Sequence, residues 1–266
     1  MKGTILEKIV ETKRERVAAA KAAADKDELL AKARNAHALS EPHRFRAALS
    51  DRRKINIIAE FKRASPSKGI INDGLNPADV ARIYESGGAA AISVLTEEDH
   101  FKGSLDDLRA VRMAVHIPIL RKDFIFDPFQ VYEAAAAGAD AILLIASMLD
   151  DSQLQDLEAL AEDELGLDVL IEVHTLEELQ RFRGSGAKLI GVNNRNLNSF
   201  NVSLDVSREL VGHAPPGSYL IAESGIDNRK DIQELKELGY SAFLIGETLM
   251  RSGDPAADLR RLNDQN

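Results

Sequence analysis

A chain of 266 residues with 44% hydrophobic content has enough apolar mass for one large α/β domain or two small ones. Its formal net charge of −9 and pI near 5.3 argue against nucleic acid or an anionic membrane as the main partner, since either would require a dominant basic surface. The absence of cysteine excludes disulfides, thiolate nucleophiles and thiolate metal sites.

The N-terminal stretch MKGTILEKIVETKRERVAAAKAAADKDELL carries a charge every few residues and no apolar run long enough for a signal sequence, and no later segment approaches a membrane span. A cytoplasmic location is the expectation. ILEKIVETKRERVAAAKAAA, DKDELLAKARN and EPHRFRAAL have helical period, so residues 1–50 read as a helical extension, expected to pack over or beside the mouth of the barrel that the rest of the chain predicts.

From Ile55 the pattern changes to short apolar runs separated by amphipathic segments. The predicted strands are NIIAEF, AISVL, PILRKD, AILLIA, VLIEV, LIGVNN, YLIAES and FLIGE. Between and after them lie the predicted helices PADVARIYESG, SLDDLRAVRMA, DPFQVYEAAAAG, DSQLQDLEALAEDELG, TLEELQRFRGSG, SLDVSRELV, NRKDIQELKELG and PAADLRRLN. Several end in glycine just before the next strand, as in SGGAAAISV, AGADAILLI, SGAKLIGV and LGYSAFLI, where a helix C-cap feeds a buried strand. Eightfold alternation in a chain of this size predicts a (β/α)8 TIM barrel, for which about 250 residues is typical, as one domain over residues 1–266. The rival is an open doubly wound sheet. Its usual phosphate loop is missing, because KRASPSKG after the first strand contains neither G-x-G-x-x-G nor G-x-x-x-x-G-K-[ST].

In a barrel, polar residues at strand C-terminal ends gather at one mouth. Glu60 and Lys62 end the first strand, Lys122 the third, Glu172 the fifth, Asn193 and Arg195 the sixth and Glu223 the seventh. Glu60, Lys122, Glu172 and Glu223 each share a strand face with the apolar residue two positions earlier: Ile58, Leu120, Leu170 and Ile221. A solvated rim salt bridge would also account for Glu60 with Lys62, and Lys122, between Arg121 and Asp123, would also fit a charged turn. Glu172 interrupts an apolar run, where an unpaired carboxylate is strongly penalised. His174 beside it reads as the residue leading into the helix TLEELQRF. The loops after the last two strands, ESGI and IGETLM, offer Gly225 and Gly246 for close backbone approach to an anion, with Ser224 and Thr248 as hydroxyl donors. Ser65, Ser67 and Lys68 lie in the first such loop and fit either ligand contact or an ordinary loop.

The ordered set IIAEFKRASPSKG, ILRKDFI, LIEVH, GVNNRNL, IAESGI and FLIGETLM, with a helical N-terminal extension, resembles the indole-3-glycerol phosphate synthase family of tryptophan biosynthesis over nearly the whole chain. The resemblance implies cyclisation of 1-(2-carboxyphenylamino)-1-deoxyribulose 5-phosphate with loss of carbon dioxide and water, without metal or organic cofactor, by a monomer or weak homodimer. It makes Lys122 the general acid at the ribulose carbonyl and Glu172 the base and acid of the dehydration. Lys62 would hold the substrate carboxylate, and Glu60, Asn193 and Glu223 would hydrogen-bond the reacting groups. Arg195 and Ser224 would line the cavity, while Gly225, Gly246 and the Glu247 amide cradle the phosphate and Ser65 touches the ligand. Asn196 and Thr248 stand where the family often has Asp and Ser. The chemistry suits a lysine whose pKa is lowered by burial and neighbouring cations, and a carboxylate whose pKa is raised by an apolar surround. Phe124 and Phe126, with the N-terminal helices, are candidates for an apolar wall against the aromatic ring. Another phosphate-handling barrel, such as a sugar-phosphate isomerase or aldolase, would share the phosphate loops but not the full set of strand-end residues; a non-catalytic binding protein would bind without turnover.

Overall fold

The computed structural model describes residues 4–36, 41–197 and 199–263. Eight parallel strands, β1 (Asn56–Phe61), β2 (Ala91–Leu95), β3 (Ile119–Lys122), β4 (Ala141–Ile145), β5 (Asp168–Val173), β6 (Leu189–Asn193), β7 (Tyr219–Glu223) and β8 (Ala242–Ile245), pair in sequential order. The sheet closes where Ile58 of β1 lies opposite Leu244 of β8. An open doubly wound sheet is thereby ruled out.

The strands are almost wholly apolar because both faces are covered. Their period of two divides the core cleanly. Ile58, Leu120, Leu143, Leu170, Leu189, Ile221 and Leu244 fill the barrel, whereas Ile57, Ala59, Ile92, Val94, Ile142, Val169 and Ile190 pack outward under the helices. After α1 (Ile5–Ala23), α2 (Lys26–Ala36) and α3 (Arg44–Ala48), the outer helices are α4 (Pro77–Ser86), α5 (Leu105–Ala114), α6 (Pro128–Ala136), α7 (Asp151–Ala159), α8 (Leu176–Gln180), α9 (Asp205–Leu210), α10 (Arg229–Leu238), α11 (Glu247–Met250) and α12 (Pro255–Asn263). Local chemistry sets their starts: Asp127 and Gln130 form a capping box around Pro128, and Asn76 caps α4 ahead of Pro77. At the helix-to-strand turns the predicted glycines Gly88, Gly138, Gly186 and Gly239 all take positive φ, which a residue with a Cβ adopts only under strain.

Two predicted helices are shorter than their sequence pattern. The segment from Asp151 widens into a π-helical turn over Leu160–Glu164. The segment from Leu176 stops at Gln180, ahead of Gly184 and Gly186, both left-handed.

The N-terminal helices do not all cover the mouth. Only α1 does: Ile9 joins the interior cluster from above, Lys13 Nζ lies 2.8 Å from Asp123 and 3.1 Å from Glu98, and Arg16 makes a two-pronged contact with Asp99. Helix α3 closes the opposite end. Phe45 and Leu49 enter the same interior cluster there, and the Arg46 amide donates to Asp168, the first residue of β5. Helix α2 packs on α6.

Candidate active site

On the inner face the apolar ladder gives way to polar side chains one layer from the strand C-termini, and these open into a cavity of about 510 Å³. Its lining includes Glu60, Lys62, Ser65, Lys122, Glu172, Asn193, Arg195, Glu223, Ser224, Gly225, Gly246 and Glu247. All twelve sequence-predicted site residues therefore meet in one space. Glu60, Glu172 and Glu223 are 4%, 2% and 1% exposed, so none is a solvated rim charge.

Lys122 is the centre of the charge arrangement. Its Nζ lies 2.7 Å from Glu172 Oε2 and 2.9 Å from Glu223 Oε2. Burial is the largest influence on its pKa and pulls it down, but the charges of Glu172, Glu223 and Glu60 together outweigh burial and leave it well above the ordinary lysine value. This corrects the expectation of a lysine lowered by neighbouring cations, because its nearest charged neighbours are carboxylates. Glu172 also departs from expectation. Burial alone would raise it, yet Lys122 and His174 hold it far below the usual carboxylate range. Glu223 carries the raised pKa instead: burial, with the charge of Glu172 added, pushes it up to about 7 against the pull of Lys122.

Two glycines make room for these carboxylates. A Cβ on Gly191 of β6 would run into Glu223 Oε1, and one on Gly246 would run into the Glu60 side chain. Glu60 in turn holds Lys62 Nζ at 2.5 Å. The expected salt bridge exists, but it lines the cavity.

At the far end of the cavity, Ser224 and Gly225 follow β7 with φ of 65° and 73°, a left-handed pair that a serine adopts at a cost. The short helix α11 begins at Glu247 directly after β8, with Gly246 preceding it. Loops after the seventh and eighth strands together with such a short helix are where this fold commonly holds phosphate. The Thr248 hydroxyl, expected as a further donor, is given to Asp227 at 3.1 Å. Arg195 crosses the cavity toward Ser67 Oγ at 3.5 Å, and its amide donates to Asn193 Oδ1 at 3.0 Å. Phe124 lines the cavity with Ile5, Leu6 and Ile9 of α1. Phe126 does not, and stacks under Arg14 instead.

A model of the indole-3-glycerol phosphate synthase family matches residues 6–262. The chain belongs to this family. It is similar to the indole-3-glycerol phosphate synthase of Carboxydothermus hydrogenoformans, 46% identical over 97% of this chain and 98% of the relative. The enzyme of the same name from Bordetella pertussis is 44% identical over 97% and 98%, and that of Dehalococcoides mccartyi 51% identical over 79% and 82%. Among solved structures, 3-hexulose-6-phosphate synthase from Salmonella typhimurium superposes with a TM-score of 0.62 at 14% identity, covering 79% of this chain and 98% of that one. A tryptophan synthase complex from Pyrococcus furiosus gives a TM-score of 0.59 at 14% identity, with the same coverages. At that identity the likeness concerns the fold alone.

Sequence reading missed part of the apolar wall. Leu143 and Ile145 of β4 line the cavity, and strand parity could have found them, since β4 supplies no polar residue to the mouth. Phe101 and Phe200 lie in loops and left no periodic signal. His174, read as a residue leading into a helix, stands against Glu172.

Proposed function

We propose that the strand-end groups of this indole-3-glycerol phosphate synthase divide the reaction between two proton-transfer stages, with Lys122 serving ring closure and the Glu172–Glu223 pair serving dehydration. The enzyme cyclises 1-(2-carboxyphenylamino)-1-deoxyribulose 5-phosphate to indole-3-glycerol phosphate with release of carbon dioxide and water. The aromatic carbon bearing the carboxylate attacks the ribulose carbonyl, and the Lys122 ammonium delivers the proton its oxygen requires. Loss of carbon dioxide restores the aromatic ring. The new hydroxyl then leaves as water while a proton departs from the adjacent methylene carbon.

The observation that carries this reading is one ammonium shared by two buried carboxylates whose pKa values are driven apart. Such a pair supplies an acceptor and a donor at one pH. Glu172, held ionised, takes the proton, and Glu223, poised near neutrality, gives one to the leaving hydroxyl. Lys62 steers the substrate carboxylate, Glu60 holds Lys62, and Asn193, Arg195 and Ser65 border the ribulose chain. The phosphate rests against Ser224, Gly225, Gly246 and the Glu247 amide. Ile5, Leu6, Ile9 and Phe124 wall the anthranilate ring. A cytoplasmic location suits a highly charged sugar phosphate, and a monomer or weak homodimer suffices because one chain supplies every group named.

The test is turnover of this substrate, followed as rising indole absorbance or fluorescence. Tight binding without indole formation would leave only a binding protein.

A further inference from the structure

We infer that His174 is a positioning residue for Glu172, clamped with Glu178 so that one Glu172 oxygen faces the imidazole while the other stays on Lys122; this rests on the reading of Glu172 as the proton acceptor. His174 follows Glu172 by two residues and so projects to the same side of the chain. Its Nε2 lies 3.3 Å from Glu172 Oε1, and its Nδ1 lies 3.4 Å from Glu178 Oε2. Glu172 Oε2 is the oxygen on Lys122, so the carboxylate stands between the ammonium and the imidazole; the contact with the imidazole is one of charge, since neither ring nitrogen makes a hydrogen bond among the described residues. The outer anchor is itself fixed. Glu178 Oε2 accepts the His174 backbone N–H at 2.7 Å, and Thr175 Oγ1 accepts the Glu178 N–H at 3.2 Å.

The charges explain why a second cation belongs here. Lys122 is shared between Glu172 and Glu223, so Glu172, the ionised member of the pair, does not have that ammonium to itself, and buried charge without compensation is costly. The charged groups facing the imidazole are Glu172 and Glu178 on its own segment, with Lys122 of β3 and Glu223 of β7 beyond Glu172. Burial lowers its pKa, but contact with Glu172 and Glu178 prevails and raises it to about 10, so the ring is cationic at neutral pH. Arg181, directly after α8, is turned away, to Asp151 and the carbonyls of Ala146 and Leu149.

The experiment compares the full chain with His174→Phe and Glu178→Gln in kcat and KM across pH, with thermal melts alongside. His174→Phe keeps a ring but removes the cation. Its kcat at pH 7 should fall roughly tenfold or more, as when an outer partner that orients a functional side chain is lost, with KM within about twofold. The acidic limb of kcat should move to higher pH, because the ionised form of Glu172 loses a stabilising charge. Glu178→Gln should move the limb the same way by less. A lowered melting temperature with the limb unmoved would make His174 merely structural and overturn the inference; if His174→Phe does not fold, an unmoved limb in Glu178→Gln does the same. Absence of turnover by the wild-type chain would overturn the proposed function, and this inference with it.

Discussion

Glu172 and Glu223 reach the same Lys122 ammonium, at 2.7 and 2.9 Å, yet their carboxyls are displaced in opposite directions. The difference lies in what stands behind each. Glu172 has His174 at its second oxygen, whereas the second oxygen of Glu223 is buried over Gly191 without a hydrogen-bond partner among the described residues.

Removing either end of the Lys122–Glu172 pair should stop chemistry more than binding. A positioned acid or base is typically worth about 10² to 10⁴ in rate. Lys122→Met and Glu172→Gln should each lower kcat by that order with a modest change in KM, measured by indole formation under saturating substrate. Near-wild-type kcat in either variant removes that residue from the mechanism.

Glu223 should make the protein less stable as pH rises. Its folded-state pKa is raised from 4.5 to about 7, so between those values the folded chain holds more protons than the unfolded one. The stabilisation from holding that proton is complete below about pH 4.5 and is lost by the time the pH has passed 7, by at most roughly 3 kcal/mol. Glu223→Gln cannot ionise. Its melting temperature should match that of the wild type near pH 4.5 and exceed it by a few degrees at pH 8. A gap independent of pH would show that Glu223 is not the raised group.

Gly191 tests the same carboxylate without touching its charge. A methyl group at this position occupies the space of Glu223 Oε1, and the cheapest response is for that side-chain end to swing away. Gly191→Ala should therefore lower kcat substantially, with a lowered melting temperature as well, because the displaced carboxylate gives up part of its buried contact with Lys122. Unimpaired turnover in the folded variant would mean that the position of Glu223 does not matter.

The barrel was legible because its signals are local. A run such as AILLIA, a glycine ahead of several strands and parity of two along each place residues such as Ile58 and Glu60 on one face whatever the distant chain does. The site residues were legible for the same reason, since a strand end in this fold points at the mouth. Their protonation was not. The pKa values of Lys122 and Glu172 depend on charges that arrive from β3, β5 and β7, with Glu172 and Glu223 lying 50 and 101 residues from Lys122 in sequence, and no single strand discloses how many carboxylates will share one cation. The split of the extension, with α1 above the barrel and α3 below, was hidden likewise, because an amphipathic helix shows that it has a partner without showing which end of the barrel provides it. Gly246 carried two meanings of which sequence suggested one: the anion loop was visible, the space for Glu60 was not.

Helix α1 offers the clearest separation of binding from folding. Ile5, Leu6 and Ile9 line the cavity, and a well-buried aliphatic side chain contributes about 1.5 to 3 kcal/mol. Losing such a wall should therefore weaken binding of the aromatic ring by roughly ten- to a hundredfold, since each 1.4 kcal/mol is about a factor of ten. The barrel has less to lose. Lys13 departs with the helix, but Asp123 keeps Arg121 at 3.0 Å and the Thr96 hydroxyl at 2.6 Å, so no buried carboxylate is left alone. Arg16 and Lys21 make partly exposed pairs with Asp99 and Asp127, which are worth about 1 kcal/mol or less each. A chain lacking residues 1–24 should fold with a modest drop in melting temperature, retain kcat within about tenfold, and show KM raised by the larger factor. The point variant Lys13→Met serves as the control, since it removes the buried tie but leaves the wall, and should lower the melting temperature without raising KM comparably. A folded truncation with wild-type KM would show that α1 forms no part of the substrate site.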